Sequence, residues 1–112
     1  NQYAFLKGQS LTSGEANTSG YAILFTVPTT QQMTITDIEI CNANATTANF
    51  YISFVPSGGT AGSNNALFYN APINGKTTVQ WTGSQVLKPG STVQAYASSN
   101  SVSFLISGGP GA

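Results

Sequence analysis

The chain has 112 residues, enough for one domain whose core needs no disulfide or metal. Only 5% of its residues are charged, three Lys against three acidic residues, and both Arg and His are absent. Proteins that bind nucleic acids or anionic membranes usually carry a basic stripe, so this composition argues against both partners.

The polar residues are mainly Ser, Thr, Asn, Gln and Gly. A surface with so few charges lacks the usual protection against self-association, which favours a protein that is partly covered in an assembly. Cys41 is the only cysteine, so no disulfide can form within the chain. The sequence shows no signal peptide, transit peptide or membrane-length apolar stretch, and we expect it to fold in a reducing cytosol.

Residues 1–20, NQYAFLKGQSLTSGEANTSG, have no sustained periodicity and are interrupted by glycines. The segment nevertheless contains apolar side chains that a disordered tail rarely needs. We predict an extended N-terminal arm over residues 1–20 that contacts a partner through Tyr3, Phe5 and Leu6.

Three strands are predicted in the first half of the remaining chain, at 21–27, 33–41 and 49–55. In the first strand, alternation predicts one shared face for four residues: Tyr21, Ile23, Phe25 and Val27. In the second strand, the apolar residues change phase near Asp37. That change predicts a bulge, or a strand covered on both sides.

The loop that follows, SGGTAGSNN (57–65), is rich in glycine. Its glycine spacing does not fit a phosphate-binding loop, and the nearest downstream lysine is Lys76. We predict a surface loop whose glycines supply positive φ and whose Ser57, Asn64 and Asn65 satisfy nearby backbone groups.

Four more strands are predicted, at 66–70, 76–82, 91–97 and 101–107. Turn signals separate them, Asn-Gly before the second and Lys-Pro-Gly-Ser before the third. Seven or eight short strands without a helix indicate an all-β antiparallel sandwich or jelly roll. The predicted organisation is an arm over 1–20, a β-sandwich domain over 21–108 and a flexible tail over 109–112.

The only candidate pair of catalytic carboxylates is Asp37 and Glu39, which point to the same face of one strand. Glycosidases need two carboxylates facing each other across the substrate, and calcium sites collect several oxygens from a loop. A serine or cysteine nucleophile has no histidine to activate it. We therefore predict a protein that is not an enzyme, with no catalytic, cofactor or metal site.

The aromatic residues permit two interpretations. Trp81 and the tyrosines at 21, 51, 69 and 96 would form a sugar-stacking platform if they were exposed in a row. Aromatic residues that alternate with polar ones are more often core or interface residues. An exposed aromatic row would favour a lectin.

Four stretches form a recognisable set: LFTVP (24–28), CNANATTANFYISFVPSGGT (41–60), ALFYN (66–70) and VLKPGSTVQAYASSNSVSFLISG (86–108). This set resembles a small all-β module of virion proteins in tailed bacteriophages, found in capsid decoration or fibre proteins and in tail structures. The resemblance covers residues 21–108, and its motifs are strand and turn patterns. It implies assembly and no active site.

The leading hypothesis is a capsid decoration (cement) protein that binds the major capsid protein, stabilises the particle and is assembled in the host cytoplasm. The resemblance also favours a homotrimer, because decoration proteins often sit on threefold positions. The alternatives are attachment to tail proteins and a receptor- or carbohydrate-binding module of a tail fibre. Copy number distinguishes these alternatives, because a decoration protein occurs many times on the head whereas a tail module occurs in only a few copies.

Overall fold

The computed structural model describes residues 5–10, 20–99 and 101–110, with side chains described for 20–99 and 101–109. Eight strands and one short 3-10 helix at Ser63–Asn65 make up the described chain. The strands are β1 (Phe5–Ser10), β2 (Ala22–Thr26), β3 (Met33–Asn42), β4 (Ala48–Val55), β5 (Ala66–Ile73), β6 (Thr77–Leu87), β7 (Thr92–Ala97) and β8 (Val102–Pro110).

The strands form two four-stranded antiparallel sheets. Sheet I has the order β1-β8-β3-β6, and sheet II has the order β2-β7-β4-β5. Successive strands alternate between the sheets, except that β4 and β5 form a hairpin within sheet II. This connectivity makes the domain an eight-stranded jelly roll, which confirms the predicted fold class.

The core lies between the sheets and consists almost entirely of aliphatic and phenylalanine side chains. Phe50 of sheet II and Phe104 of sheet I meet across it, with ring centroids 6.4 Å apart. In β7 and β8, alternation puts every second residue into this layer, because successive side chains point to opposite faces. The largest fully buried side chains are Phe50, Phe104, Ile35, Ile38, Ile40, Ile52, Ile73, Ile106, Val27, Val55 and Val93.

A bulge in β3 confirms the phase change predicted near Asp37. The register shifts between Ile35 and Asp37 in the pairings with both β6 and β8. The shift lets Met33 and Ile35 on one side of it, and Ile38 and Ile40 on the other, all point into the core. The extra residue therefore keeps one long strand buried on a single face.

The predicted shared face of β2 is wrong. Leu24 and Val27 are buried, whereas Ile23 is 58% exposed. A register shift between Ile23 and Phe25 in the pairing with β7 changes the phase of the strand. Simple alternation cannot hold across such an irregularity, because one extra residue reverses the face of every later side chain.

The predicted arm includes β1, one of the two edge strands of sheet I. Its six residues pair with β8, from Phe5 opposite Gly108 to Ser10 opposite Ser103. Tyr3 and the side chains of Phe5 and Leu6 lie outside the described residues, so their contact with a partner stays a prediction. At the other terminus β8 extends to Pro110, opposite Met33, so the first two residues of the predicted tail continue the strand.

Candidate functional site

Four tyrosines cross the outer face of sheet II, one from each strand or its start. We call them the tyrosine row; in order across the sheet they are Tyr21, Tyr96, Tyr51 and Tyr69. On β4 the neighbours Phe50 and Ile52 are buried, so alternation points Tyr51 outward. Tyr51 lies directly opposite Tyr96 of β7, which brings the two central rings together.

The rings of the row pack against one another. Tyr51 and Tyr96 are stacked, with centroids 4.2 Å apart and planes 5° from parallel. Tyr21 meets Tyr96 nearly at a right angle at 4.7 Å, and Tyr69 meets Tyr51 in the same way at 5.2 Å. The stack covers one face of each of the two central rings. Tyr51 and Tyr96 are therefore poor platforms for stacking against a sugar ring. Tyr69, at the end of the row, is 57% exposed.

Two asparagine side chains lie beside the row, and one of them is hydrogen-bonded to Tyr51. The Asn49 amide nitrogen donates to Asn70 Oδ1 at 2.7 Å, and the Tyr51 hydroxyl donates to the same oxygen at 3.1 Å. Asn70 has a φ of 55°, a left-handed conformation that asparagine tolerates better than most residues. The register between β4 and β5 shifts at this point. The resulting bulge sets the directions of the Tyr69 and Asn70 side chains.

The hydroxyl groups of the row are in different environments. The pKa of Tyr96 is raised to about 12, chiefly by burial and in addition by a hydrogen bond with Tyr51 and by the neighbouring phenols. The Tyr21 hydroxyl is buried and has no hydrogen-bond partner among the described residues. An unpaired buried hydroxyl is costly, and Tyr21 carries that cost within the folded chain.

Trp81 does not join the tyrosine row, so it takes no part in the aromatic platform that was one of the two interpretations, and it fits the other, a residue packed at the core. It lies on β6 of sheet I and packs against the core, with its ring 6.0 Å from that of Phe54. Trp81 and Val79 alternate with exposed residues, so both point between the sheets. A Cβ at position 83 would stand 2.8 Å from the Trp81 ring, which explains why Gly83 is a glycine.

Asp37 and Glu39 share the outer face of sheet I, as predicted. The Gln80 amide nitrogen of β6 bridges them, at 3.3 Å from Asp37 Oδ1 and 3.4 Å from Glu39 Oε2. The two carboxylates are neighbours on one strand and do not face each other across a cleft. No group of three or more His, Cys, Asp or Glu side chains suited to a metal ion occurs in the part of the chain described.

The glycine-rich loop is held by its own backbone and amides. Gly58 has a φ of 80°, and the Gly59 N–H donates to the Pro56 carbonyl at 2.8 Å. Asn65 accepts from the Gly62 N–H at 3.1 Å and donates to the Thr60 carbonyl at 3.0 Å. These contacts confirm a surface loop for Gly58 and Asn65. Over residues 5–10, 20–99 and 101–110, no helix has the length and apolar character needed to cross a membrane.

No protein-family description and no curated protein matches this chain. Among solved structures, its fold is similar to a chain in the structure of the infectious bursal disease virus Gx strain, at TM-score 0.45 and 12% identity over 97% of this chain. A chain of the Gt strain structure has a TM-score of 0.41 and 13% identity over 98%. This chain spans 30% and 28% of those two chains, and both structures are of a virus.

Proposed function

We propose that this chain is a non-enzymatic structural protein of a virus particle, a capsid decoration protein that binds the major capsid protein and stabilises the shell. The tyrosine row is the observation that carries the proposal. Jelly rolls occur in viral capsid proteins and in lectins, so the fold alone does not choose between assembly and sugar binding.

The row has the properties of a protein interface. Tyrosine is enriched at interface centres because its ring is apolar and its hydroxyl still finds a polar partner. The row spans all four strands of sheet II, and Tyr69 at its end is 57% exposed. Attachment would then rely on apolar contact and neutral hydrogen bonds, since the whole chain offers three Lys and three acidic residues.

Self-association into a homotrimer is part of the proposal. In a threefold arrangement, each oligomer presents three copies of the same neutral surface to the shell. Because these contacts form together, no single contact has to be strong. The supporting feature is again the scarcity of charge, because like-charge repulsion between copies is weak. Light scattering coupled to size exclusion would measure the oligomer, and a monomer at micromolar concentration would contradict this part.

A co-sedimentation assay with particles stripped of this chain tests the interface. Tyr69→Lys adds a charge at the 57% exposed end of the row, and Leu105→Lys is a matched control on the outer face of sheet I, where Leu105 is 43% exposed. We expect Tyr69→Lys to weaken binding about tenfold or more, and Leu105→Lys to leave it unchanged. Equal effects of the two lysines would contradict the assignment of the row.

The same assay at different salt concentrations tests the neutral character of the interface. Raising sodium chloride from roughly 0.05 to 0.5 M screens exposed ion pairs strongly. We expect occupancy of the wild-type protein on the particle to stay almost constant. Wholesale release would show that a lysine meets an acidic patch on the particle.

A receptor- or carbohydrate-binding module of a tail fibre is the second candidate. The observation that favours it is the exposed Tyr69 ring next to the Asn49–Asn70 amide pair, since an aromatic face beside amides is a common arrangement for binding sugars. Titration of immobilised host-surface polysaccharides with the wild-type protein and Tyr69→Ala tests it. Binding that disappears in Tyr69→Ala would favour the module over the decoration protein.

A further inference from the structure

A second surface lies at the end of the sandwich that carries the β2–β3, β4–β5 and β6–β7 connections. An open cavity of about 370 Å³ separates the last residues of β4 from the last residues of β6. It exists because β5 begins at Ala66, opposite Ser53, so Phe54 and Val55 extend beyond their hairpin partner. No strand of the described residues closes the sandwich on this side.

The cavity wall is largely apolar, and it is lined by Phe54, Val55, Pro56, Val86, Leu87 and Pro89. Gln85 stands opposite the buried Ile35, so its side chain points towards the space between the sheets. The Lys88–Ser91 turn forms part of the rim. Its Ser91 N–H donates to the Lys88 carbonyl at 3.1 Å, and Gly90 has a φ of 84°, the positive value that the third residue of a type II turn adopts.

Among the described residues, no strand pairs with the outer side of β6, which lies beside the cavity at one edge of sheet I. β6 has eleven residues and contains neither a charged residue nor a proline. It has one register shift, between Thr82 and Gln85, and the Gln85 amide nitrogen donates to the Val86 carbonyl at 3.3 Å. The facing edge strand β5 is interrupted by Pro72, by the positive φ of Asn70 and by two register shifts. Natural edges are usually blocked by such devices, because an open edge pairs readily with another extended chain.

We propose that an extended segment of another protein adds to the β6 edge at Ser84–Leu87 and inserts one apolar side chain into the cavity. Main-chain hydrogen bonds to an edge supply affinity in this binding mode, and a side-chain pocket supplies specificity. Lys88 is the only charged residue of the lining, so the segment carries a carboxylate next to its apolar anchor. This surface is separate from the tyrosine row, and the proposal does not depend on the virion role.

A peptide selection tests the proposal. A library of short random peptides is selected on the wild-type protein and then measured against two variants. Gln85→Trp fills the cavity, and Thr82→Trp is the matched control. Thr82 lies on the same strand, is exposed and stands opposite Asp37, so its side chain points to the outer face of sheet I.

We expect the selected peptides to share one apolar residue next to Asp or Glu. They should bind Thr82→Trp as tightly as wild type and Gln85→Trp about tenfold or more weakly. Lys88→Gln should weaken the same peptides without changing the fold, which keeps the test valid if Gln85→Trp does not fold. In amide NMR spectra the shifts should concentrate at Ser84–Leu87 and Phe54–Ser57.

Three results would overturn the proposal. One is a selection that yields no binding peptide. Another is a set of peptides that bind Gln85→Trp and Lys88→Gln as tightly as they bind wild type. The third is a set of amide shifts confined to another surface, such as the tyrosine row. A second copy of this chain as the occupant would also count against it. That result would appear as a dimer of the wild-type protein that dissociates in Gln85→Trp and persists in Thr82→Trp.

Discussion

The two ends of the jelly roll are built differently. At the end that carries the β3–β4, β5–β6 and β7–β8 connections, the buried Asn42 side chain joins all three. Its amide donates to the Thr46 carbonyl at 2.9 Å and the Ile73 carbonyl at 3.1 Å. Its oxygen accepts from the Asn44 N–H at 3.1 Å and the Ser101 hydroxyl at 3.0 Å. One fully hydrogen-bonded amide closes this end.

At the opposite end one of two turns is tied to the β2–β3 connection: the Val27 N–H donates to the Ser91 carbonyl at 2.8 Å, and the Gly90 N–H donates to the Val27 carbonyl at 3.1 Å. The Pro56–Gly59 and Lys88–Ser91 turns each close on their own backbone. The cavity between β4 and β6 remains open beside them. The comparison shows that one buried side chain joins all three connections at the Asn42 end, whereas at the cavity end backbone hydrogen bonds join the β2–β3 and β6–β7 connections and the space between β4 and β6 stays open.

Removing the Asn42 side chain should have the largest effect on stability. In Asn42→Ala, backbone groups of two connections and the Ser101 hydroxyl of the third lose their partner, and we expect the free energy of unfolding to fall by about 3 kcal/mol. Asn49→Ala, which removes an exposed hydrogen bond to Asn70, should cost under about 1 kcal/mol. Urea denaturation measures both. Similar losses for the two variants would contradict the assigned role of Asn42.

Glycine substitutions provide a second comparison of the ends. A Cβ on Gly75, at the Asn42 end, would overlap the backbone carbonyl of Ala45, which has little freedom to move. A Cβ on Gly62, at the cavity end, would meet only Asn64 Oδ1 at an ordinary 3.8 Å. Gly75→Ala should therefore cost about 1–3 kcal/mol. Gly62→Ala should stay within about 0.5 kcal/mol. If the order were reversed in thermal or urea unfolding, the two ends would not differ as described.

The smallest effect concerns pH and the tyrosine row, which lies between the two ends. An unfolded tyrosine ionises near pKa 10, whereas the folded value for Tyr96 is about 12. Between these values the folded state keeps a proton that the unfolded state has lost, so this stabilisation is complete below pH 10 and is lost as the pH rises towards 12. Tyr96→Phe should lose less stability than wild type between pH 9 and 11.5. Equal losses, measured by urea midpoints, would mean that Tyr96 does not carry this pH dependence.

The sequence predicts most of the strands and one irregularity in them. The β3 bulge was visible because four large apolar residues change phase around Asp37, and only a bulge places all of them in one core. The β2 irregularity was not visible, because YAILFTV contains apolar residues on both faces and fits either phase. Alternation is informative only where one of the two faces is polar.

The candidate sites depend on strand order, which local patterns do not contain. Tyr51 was predictable as a residue that alternates with core residues, but its position opposite Tyr96 follows from pairing between distant strands. Trp81 likewise packs against the core because β6 pairs with β3, a strand distant in the sequence. Asn42 and Asn70 were overlooked, although asparagine is depleted in strands and its presence in or beside an apolar run is a usable signal.

Counting copies in the purified particle tests the central claim most directly. Quantitative mass spectrometry against an isotope-labelled peptide of this chain, normalised to the major capsid protein, gives the number of copies per particle. A decoration protein repeated over the shell should be present at on the order of hundreds of copies. A count of only a few, or the absence of the chain from particles that keep their tails and capsid, would contradict the proposed function.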